Sequence, residues 1–123
     1  MISDYVKEIQ HIGIPTKKMK ESVEFYQSLE FKVEFEAETV KFMKLHNILI
    51  ELYESSQTAG VSGAVDHIAL NVEEIDNLYK IINSKGLKIL EDNINELPFF
   101  KNGVRYFTVE GPNNEKIEFN QII

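Results

Sequence analysis

Cysteine is absent from this sequence of 123 residues, which excludes disulfides and thiolate metal ligands. Long apolar runs are absent too. No stretch approaches the roughly 18 residues that cross a bilayer, so no membrane span is expected. The opening MISDYVKEIQ has neither the basic n-region nor the apolar h-region of a signal peptide, and a cytoplasmic location is the expectation. Positive charge is scarce: 13 Lys and Arg stand against 20 Asp and Glu, a net charge of −7. That balance argues against nucleic-acid backbones and anionic membranes as partners. A small anionic substrate stays open, because the charge in a cleft can differ from the total. Arginine occurs once, at Arg105.

What remains is ordinary globular composition, 43% hydrophobic and 27% charged, in a chain of single-domain size. Its main pattern is a duplication. Ile9-Gln10-His11-Ile12-Gly13-Ile14 is matched by Val65-Asp66-His67-Ile68-Ala69-Leu70, with the histidines 56 residues apart. After His11, Met19, Val23, Tyr26 and Leu29 follow helical spacing, with Phe25 widening the stripe and Thr16 a candidate N-cap. After His67, Ile75, Leu78, Tyr79 and Ile82 do the same, and Gly86 is placed to stop the helix. A strand is expected next in each half, Phe31–Glu36 and Leu87–Ile89. A hairpin closes each half: Lys41–Leu45 with Ile48–Tyr53 around His46-Asn47, and Arg105–Val109 with Lys116–Asn120 around Gly111-Pro112-Asn113-Asn114. The surplus of the second half is expected in 93–103. Each half thus reads strand, helix, strand, strand, strand, in modules of about 7–54 and 65–123 joined by the small, polar linker 55–64.

Side chains alternate along strands. His11 and Gly13 lie opposite Ile12 and Ile14, and His67 and Ala69 lie opposite Ile68 and Leu70. Glu51, with Leu49 and Tyr53, lies opposite Ile48, Ile50 and Leu52. Glu118, with Lys116 and Asn120, lies opposite Ile117 and Phe119. All four polar residues therefore avoid the strongest apolar stripe of their own strands, with a small residue beside each histidine. A lone histidine in an apolar strand is more often a satisfied structural residue than a ligand. A pair of histidines and a pair of glutamates at equivalent places in a repeat points instead to a metal site.

These residues resemble a known family. His11-Ile-Gly-Ile followed by Ser22-Val-Glu-Phe25-Tyr26 and Leu29-Glu-Phe31 is similar to the opening module of the vicinal oxygen chelate superfamily, which includes glyoxalase I. Asp66-His67-Ile-Ala-Leu with Val72-Glu-Glu-Ile75-Asp76, and the ending Gly111-Pro112 with Glu115-Lys-Ile-Glu118-Phe, are similar as well. The likeness spans roughly Ile9 to Gln121. It implies an α+β fold: two tandem βαβββ modules forming a curved, barrel-like mixed sheet with helices outside, and a homodimer. It also implies a divalent metal, with His11, Glu51, His67 and Glu118 at the ligand positions. Both glutamates are present, which resembles glyoxalase I more than the two-histidine, one-glutamate relatives. Two local departures are Leu29-Glu30-Phe31, where the family often has Leu-Gly-Phe, and Pro112-Asn113-Asn114, where a glycine often follows the proline. Asparagine tolerates the left-handed conformation. The single arginine sets the chain apart from glutathione-using glyoxalases, because lysines bind carboxylates as point charges and not as a fork.

Two imidazoles and two carboxylates suit zinc, nickel, cobalt, manganese or iron(II). Such an ion acidifies a proton next to a carbonyl, and the resemblance implies Glu118 as the base that removes it, with Glu51 able to share the transfer. Tyr53 and Asn120 share the ligand-bearing faces and are candidate substrate-binding residues, as is Arg105 for a substrate carboxylate or phosphate. The expected activity is a metal-dependent lyase or isomerase acting on a small molecule that chelates the ion through adjacent oxygens. The alternatives are a methylmalonyl-CoA epimerase-like isomerase and, from another class, a bleomycin-resistance-type protein that sequesters a small molecule without turnover.

Overall fold

The computed structural model describes Met1–Ile123. It divides into two compact units, Met1–Thr58 and Ala59–Ile123. The first holds a single 3₁₀ turn at Ile2–Asp4, then β1 (Ile12–Thr16), α1 (Met19–Ser28), β2 (Lys32–Glu36), β3 (Val40–Leu45) and β4 (Ile48–Glu54). The second holds β5 (Ile68–Asn71), α2 (Ile75–Ser84), β6 (Asn95–Leu97), β7 (Val104–Glu110) and β8 (Lys116–Ile122). The strands form two mixed sheets ordered β1-β4-β3-β2 and β5-β8-β7-β6. The fold is α+β with two βαβββ-like modules, as expected, but the barrel-like sheet is not closed: each four-stranded sheet is open.

In both sheets the first and last strands pair in parallel and the others antiparallel. Parallel neighbours need a crossover connection, and the helix supplies it. α1 packs on β3 and β4, and α2 on β7 and β8. Much of the apolar stripes read from the sequence is buried, including Val23, Tyr26, Ile50 and Leu52 in the first unit and Ile75, Ile82, Ile117 and Phe119 in the second, while Met19, Leu78 and Tyr79 are half-buried. Phe107 lies 5.1 Å from both Tyr79 and Phe119, between helix and sheet.

Three local features depart from the sequence expectation. α1 begins at Met19 with Lys18 as its N-cap, not Thr16. The Thr16 hydroxyl is buried at the end of β1, where it accepts from the Lys18 amide at 2.9 Å and shares a 2.8 Å hydrogen bond with Ser22. The start of α2 is tied down from the sheet, by the Gln121 side chain accepting from the Ile75 amide at 3.0 Å. The helix ends follow one plan with different residues. Gly86 takes φ +72°, and so does Glu30. Phe31 N–H reaches Tyr26 O and Glu30 N–H reaches Gln27 O, the paired bonds of a Schellman ending. A glutamate therefore sits where the backbone favours glycine.

The third departure is Leu87–Ile89, which is not a strand. Ile89 makes an isolated bridge to Val109, with flanking bonds from Glu110 N–H to Lys88 O and from Leu90 N–H to Thr108 O. The chain then leaves the ladder and rejoins it as β6, where Asn95 pairs with Tyr106 and Leu97 with Val104. At the gap, the Glu91 carboxylate accepts from the Thr108 amide at 2.6 Å, so a side chain replaces the missing backbone acceptor on a buried strand. Much of the second unit's surplus length is spent on this detour.

Removing that acceptor leaves a buried N–H unpaired, at a cost of about 1–3 kcal/mol. Glu91→Ala is expected to lower unfolding free energy by that amount in urea titration and Glu91→Gln by less; equal midpoints for Glu91→Ala and the native chain would refute the role. Glu30→Gly relieves a left-handed non-glycine residue, worth about 1 kcal/mol after the flexibility it adds to the unfolded chain. A higher thermal midpoint for that variant is the expected result, and a lower one would show that Glu30 is not strained.

Candidate metal centre

β1 begins one residue after His11 and β5 one residue after His67. The parallel ladders set Gly13 beside Glu51 and Ala69 beside Glu118. Paired residues share a face, and a histidine two positions before Gly13 or Ala69 leans over the same face. Each unit thus brings one imidazole to one carboxylate: His11 Nε2 lies 3.5 Å from Glu51 Oε1, and His67 Nε2 lies 3.7 Å from Glu118 Oε1. The space is left by the small residues. A Cβ built on Gly13 would sit 3.5 Å from Glu51 Oε1 and 3.6 Å from the Tyr53 ring, ordinary contact, consistent with alanine at the matching place in the second unit.

The other ring nitrogen is occupied in both pairs. Nδ1 of His11 lies 3.0 Å from Gln10 Oε1, and Nδ1 of His67 lies 2.9 Å from Asp66 Oδ2. Amide and carboxylate oxygens accept, so Nδ1 donates, and in the neutral ring the lone pair is then on Nε2, which faces the glutamate. Metal-binding histidines are held in this tautomer by such outer hydrogen bonds. The separations fit the same use. Donor atoms about 2.1 Å from one ion are about 3.0 Å apart at a right angle and about 3.4 Å apart at a tetrahedral one, close to the separations of 3.5 and 3.7 Å in the two pairs. Each pair has the donor chemistry and spacing of two ligands to one divalent ion. No group of three or more His, Asp or Glu side chains is placed to hold a metal within the chain; the residues gather only as these two His–Glu pairs.

The surroundings of the two pairs differ. In the second unit, Asn120 Nδ2 donates to Glu118 Oε2 at 2.9 Å, which leaves Oε1 toward His67. Asp66 also meets Lys116 Nζ at 3.4 Å. The hydrogen bond from His67, and then that from Lys116, hold the Asp66 carboxyl below its ordinary pKa. In the first unit the surroundings are aromatic. Phe42 pairs with Glu51 in the ladder, its ring is 5.5 Å from His11, and Phe35 is 6.2 Å from Phe42. Tyr53 lies on the same face.

Of the candidate substrate-binding residues, Tyr53 and Asn120 share the faces of their glutamates. Arg105 does not. It pairs with Gln121 in the ladder, next to Asn120 and therefore on the opposite, helix-facing side from Glu118. There it makes a two-pronged bond to Asp76 at 2.7 and 2.9 Å, which lowers the Asp76 pKa and raises its own. That engagement places Arg105 away from the His67–Glu118 pair. His46 lies exposed in its turn, as its position suggested.

Three contributors escaped the sequence reading: Gln10, Asp66 and Phe42. Phe42 was countable. A two-residue turn at His46-Asn47 sets Leu45 against Ile48 and hence Phe42 against Glu51. Gln10 and Asp66 carried one signal, an oxygen acceptor immediately before each histidine.

Comparison with known proteins gives the same picture of the fold. The uncharacterized protein YwbC of Bacillus subtilis (strain 168) is 32% identical over 126 residues, 94% of this chain and 98% of that protein. The glyoxalase family protein from Enterococcus faecalis matches with a TM-score of 0.80 at 21% identity, over 94% of this chain and 98% of that one. The fosfomycin resistance protein FosX from Listeria monocytogenes matches at 0.76 and 17% identity, over 96% and 95%. Identities this low between solved structures and this chain show the fold alone. The family model matches residues 8–119: the chain belongs to the Glyoxalase/Bleomycin resistance protein/Dioxygenase superfamily.

Proposed function

We propose that this protein is a divalent-metal-dependent lyase or isomerase of the glyoxalase kind. The observation that carries the reading is the pair formed in each unit: an Nε2 atom and a carboxylate oxygen 3.5 and 3.7 Å apart, with Nδ1 already tied off. His11, Glu51, His67 and Glu118 would hold the ion, which is zinc, nickel, cobalt, manganese or iron(II) by donor type. When bound, it supplies Lewis acidity toward two adjacent oxygens of a small substrate. Glu118 takes the proton from the carbon next to the carbonyl and returns it to the neighbouring carbon, a proton transfer with no external redox partner. Glu51 lies on the matching face of the other unit for the same task. Phe42 and Tyr53 offer apolar surface beside His11 for the rest of the substrate. The aromatic surface also suits a protein that only sequesters its ligand, and turnover separates the two.

A homodimer accompanies the reading. Since no three such side chains gather within one chain, we propose that the His11–Glu51 pair of one copy meets the His67–Glu118 pair of a second copy. His11→Ala and His67→Ala are each expected to lose metal in plasma emission analysis. When the two variants are coexpressed and the mixed dimer is isolated, one of its two sites has all native ligands, so metal returns to about half the native content. A site built within one chain would leave the mixed dimer empty.

Glu118→Gln is expected to keep the fold and to reduce kcat by about 10²–10⁴ on a responsive α-hydroxycarbonyl or hemithioacetal substrate, the usual range for losing a positioned base. Native turnover in that variant would remove Glu118 from the role. Metal affinity should fall as pH drops through the range where imidazole and carboxylate take up protons, since both must be free of protons to coordinate.

A further inference from the structure

The two pairs have the same backbone plan but unequal support. His67 is held by Asp66, whose other oxygen meets Lys116, and Glu118 is held by Asn120. His11 is held only by the neutral amide of Gln10, and no side chain donates a hydrogen bond to Glu51. The glutamates follow the same order, with the Glu118 side chain 15% exposed and that of Glu51 27%, whereas the His67 ring is the more exposed imidazole, at 44% against 33% for His11.

We infer that Asp66 and Asn120 are positioning residues that make His67–Glu118 the tighter-binding half of the metal site. The physical reason is twofold. A carboxylate accepting from Nδ1 pushes electron density onto Nε2 and fixes the ring plane, which a neutral amide does less strongly. Asn120 holds one glutamate oxygen so that the other need not be ordered when an ion arrives. The Lys116 ammonium keeps Asp66 in place and offsets its charge, so the support does not depend on further acidic groups. The first unit lacks these fixed partners, and its His11–Glu51 pair is free to adjust around what the second unit holds. This rests on the metal reading above.

The test is Co²⁺ binding to the full chain by calorimetry, with the Co²⁺ absorption spectrum recorded as a report on ligand geometry. Asp66→Ala and Asn120→Ala are each expected to weaken binding by about 10–100-fold and to shift the visible bands. Asp66→Asn, whose amide oxygen still accepts from Nδ1, recovers part of the affinity. Gln10→Ala has a smaller effect, and His11→Ala retains tighter binding than His67→Ala. Asp66→Ala and Asn120→Ala binding within twofold of native, with unchanged spectra, would overturn the inference while leaving the metal reading in place. Native affinity in the His67→Ala variant would instead bring down the metal reading and this inference with it.

Discussion

The parallel ladder between the first and last strand of each unit is the constraint on which the rest depends. It sets Gly13 beside Glu51 and Ala69 beside Glu118, and each histidine reaches its glutamate across those small residues. A one-residue slip would turn every side chain of the last strand to the opposite face. Glu51 and Glu118 would then enter the helix side among Ile50, Leu52, Ile117 and Phe119, where an unpaired carboxylate is costly. Burial of those neighbours therefore fixes the register, and the register places the carboxylates. The hydrophobic core and the polar pair are two faces of one alternation.

Much of this was legible because it is periodic and repeated. Met19 and Ile75 start the helices with the same 56-residue spacing as the histidines, and much of the apolar stripes that follow them is buried. The turn in the first hairpin is two residues long, which determines register without knowledge of the fold. What the sequence hid is of a different kind. The edge of the second sheet is continued by the side chain of Glu91, and no periodicity records a carboxylate standing in for a carbonyl. The left-handed φ of Glu30 was likewise hidden behind a residue type that gives no sign of it, although the family pattern has glycine there. Arg105 looked available because it is the only arginine. Its face depends on the length of the turn between β7 and β8, and its partner Asp76 comes from a helix start that lies 29 residues away.

The outer hydrogen bonds show how little chain is needed to distinguish two copies of one plan. Gln10 and Asp66 occupy equivalent positions and differ by an amide for a carboxylate. Asn120 stands two residues beyond Glu118, on its face, where the first unit has Tyr53 two residues beyond Glu51. One unit therefore has hydrogen bonds around its pair and the other has rings. The same scaffold in this way surrounds equivalent His–Glu pairs with different chemistry.

Electrostatics supports the proposal that the pairs take a divalent ion. With the proton on Nδ1, the Nε2 lone pair and the Oε1 lone pairs face each other across 3.5 and 3.7 Å. Two electron-rich atoms so placed repel unless something positive stands between them. A proton can do this, forming an imidazolium that donates to the carboxylate, and so can a divalent ion. A proton favours closure to a hydrogen bond of about 2.7–2.9 Å, shorter than the separations of 3.5 and 3.7 Å in the two pairs. Competition between the two follows directly, and metal binding at such a pair must release protons as pH falls toward the range where imidazole is charged. The excess of acidic residues in the chain, net −7, works in the same direction by favouring cations near its surface.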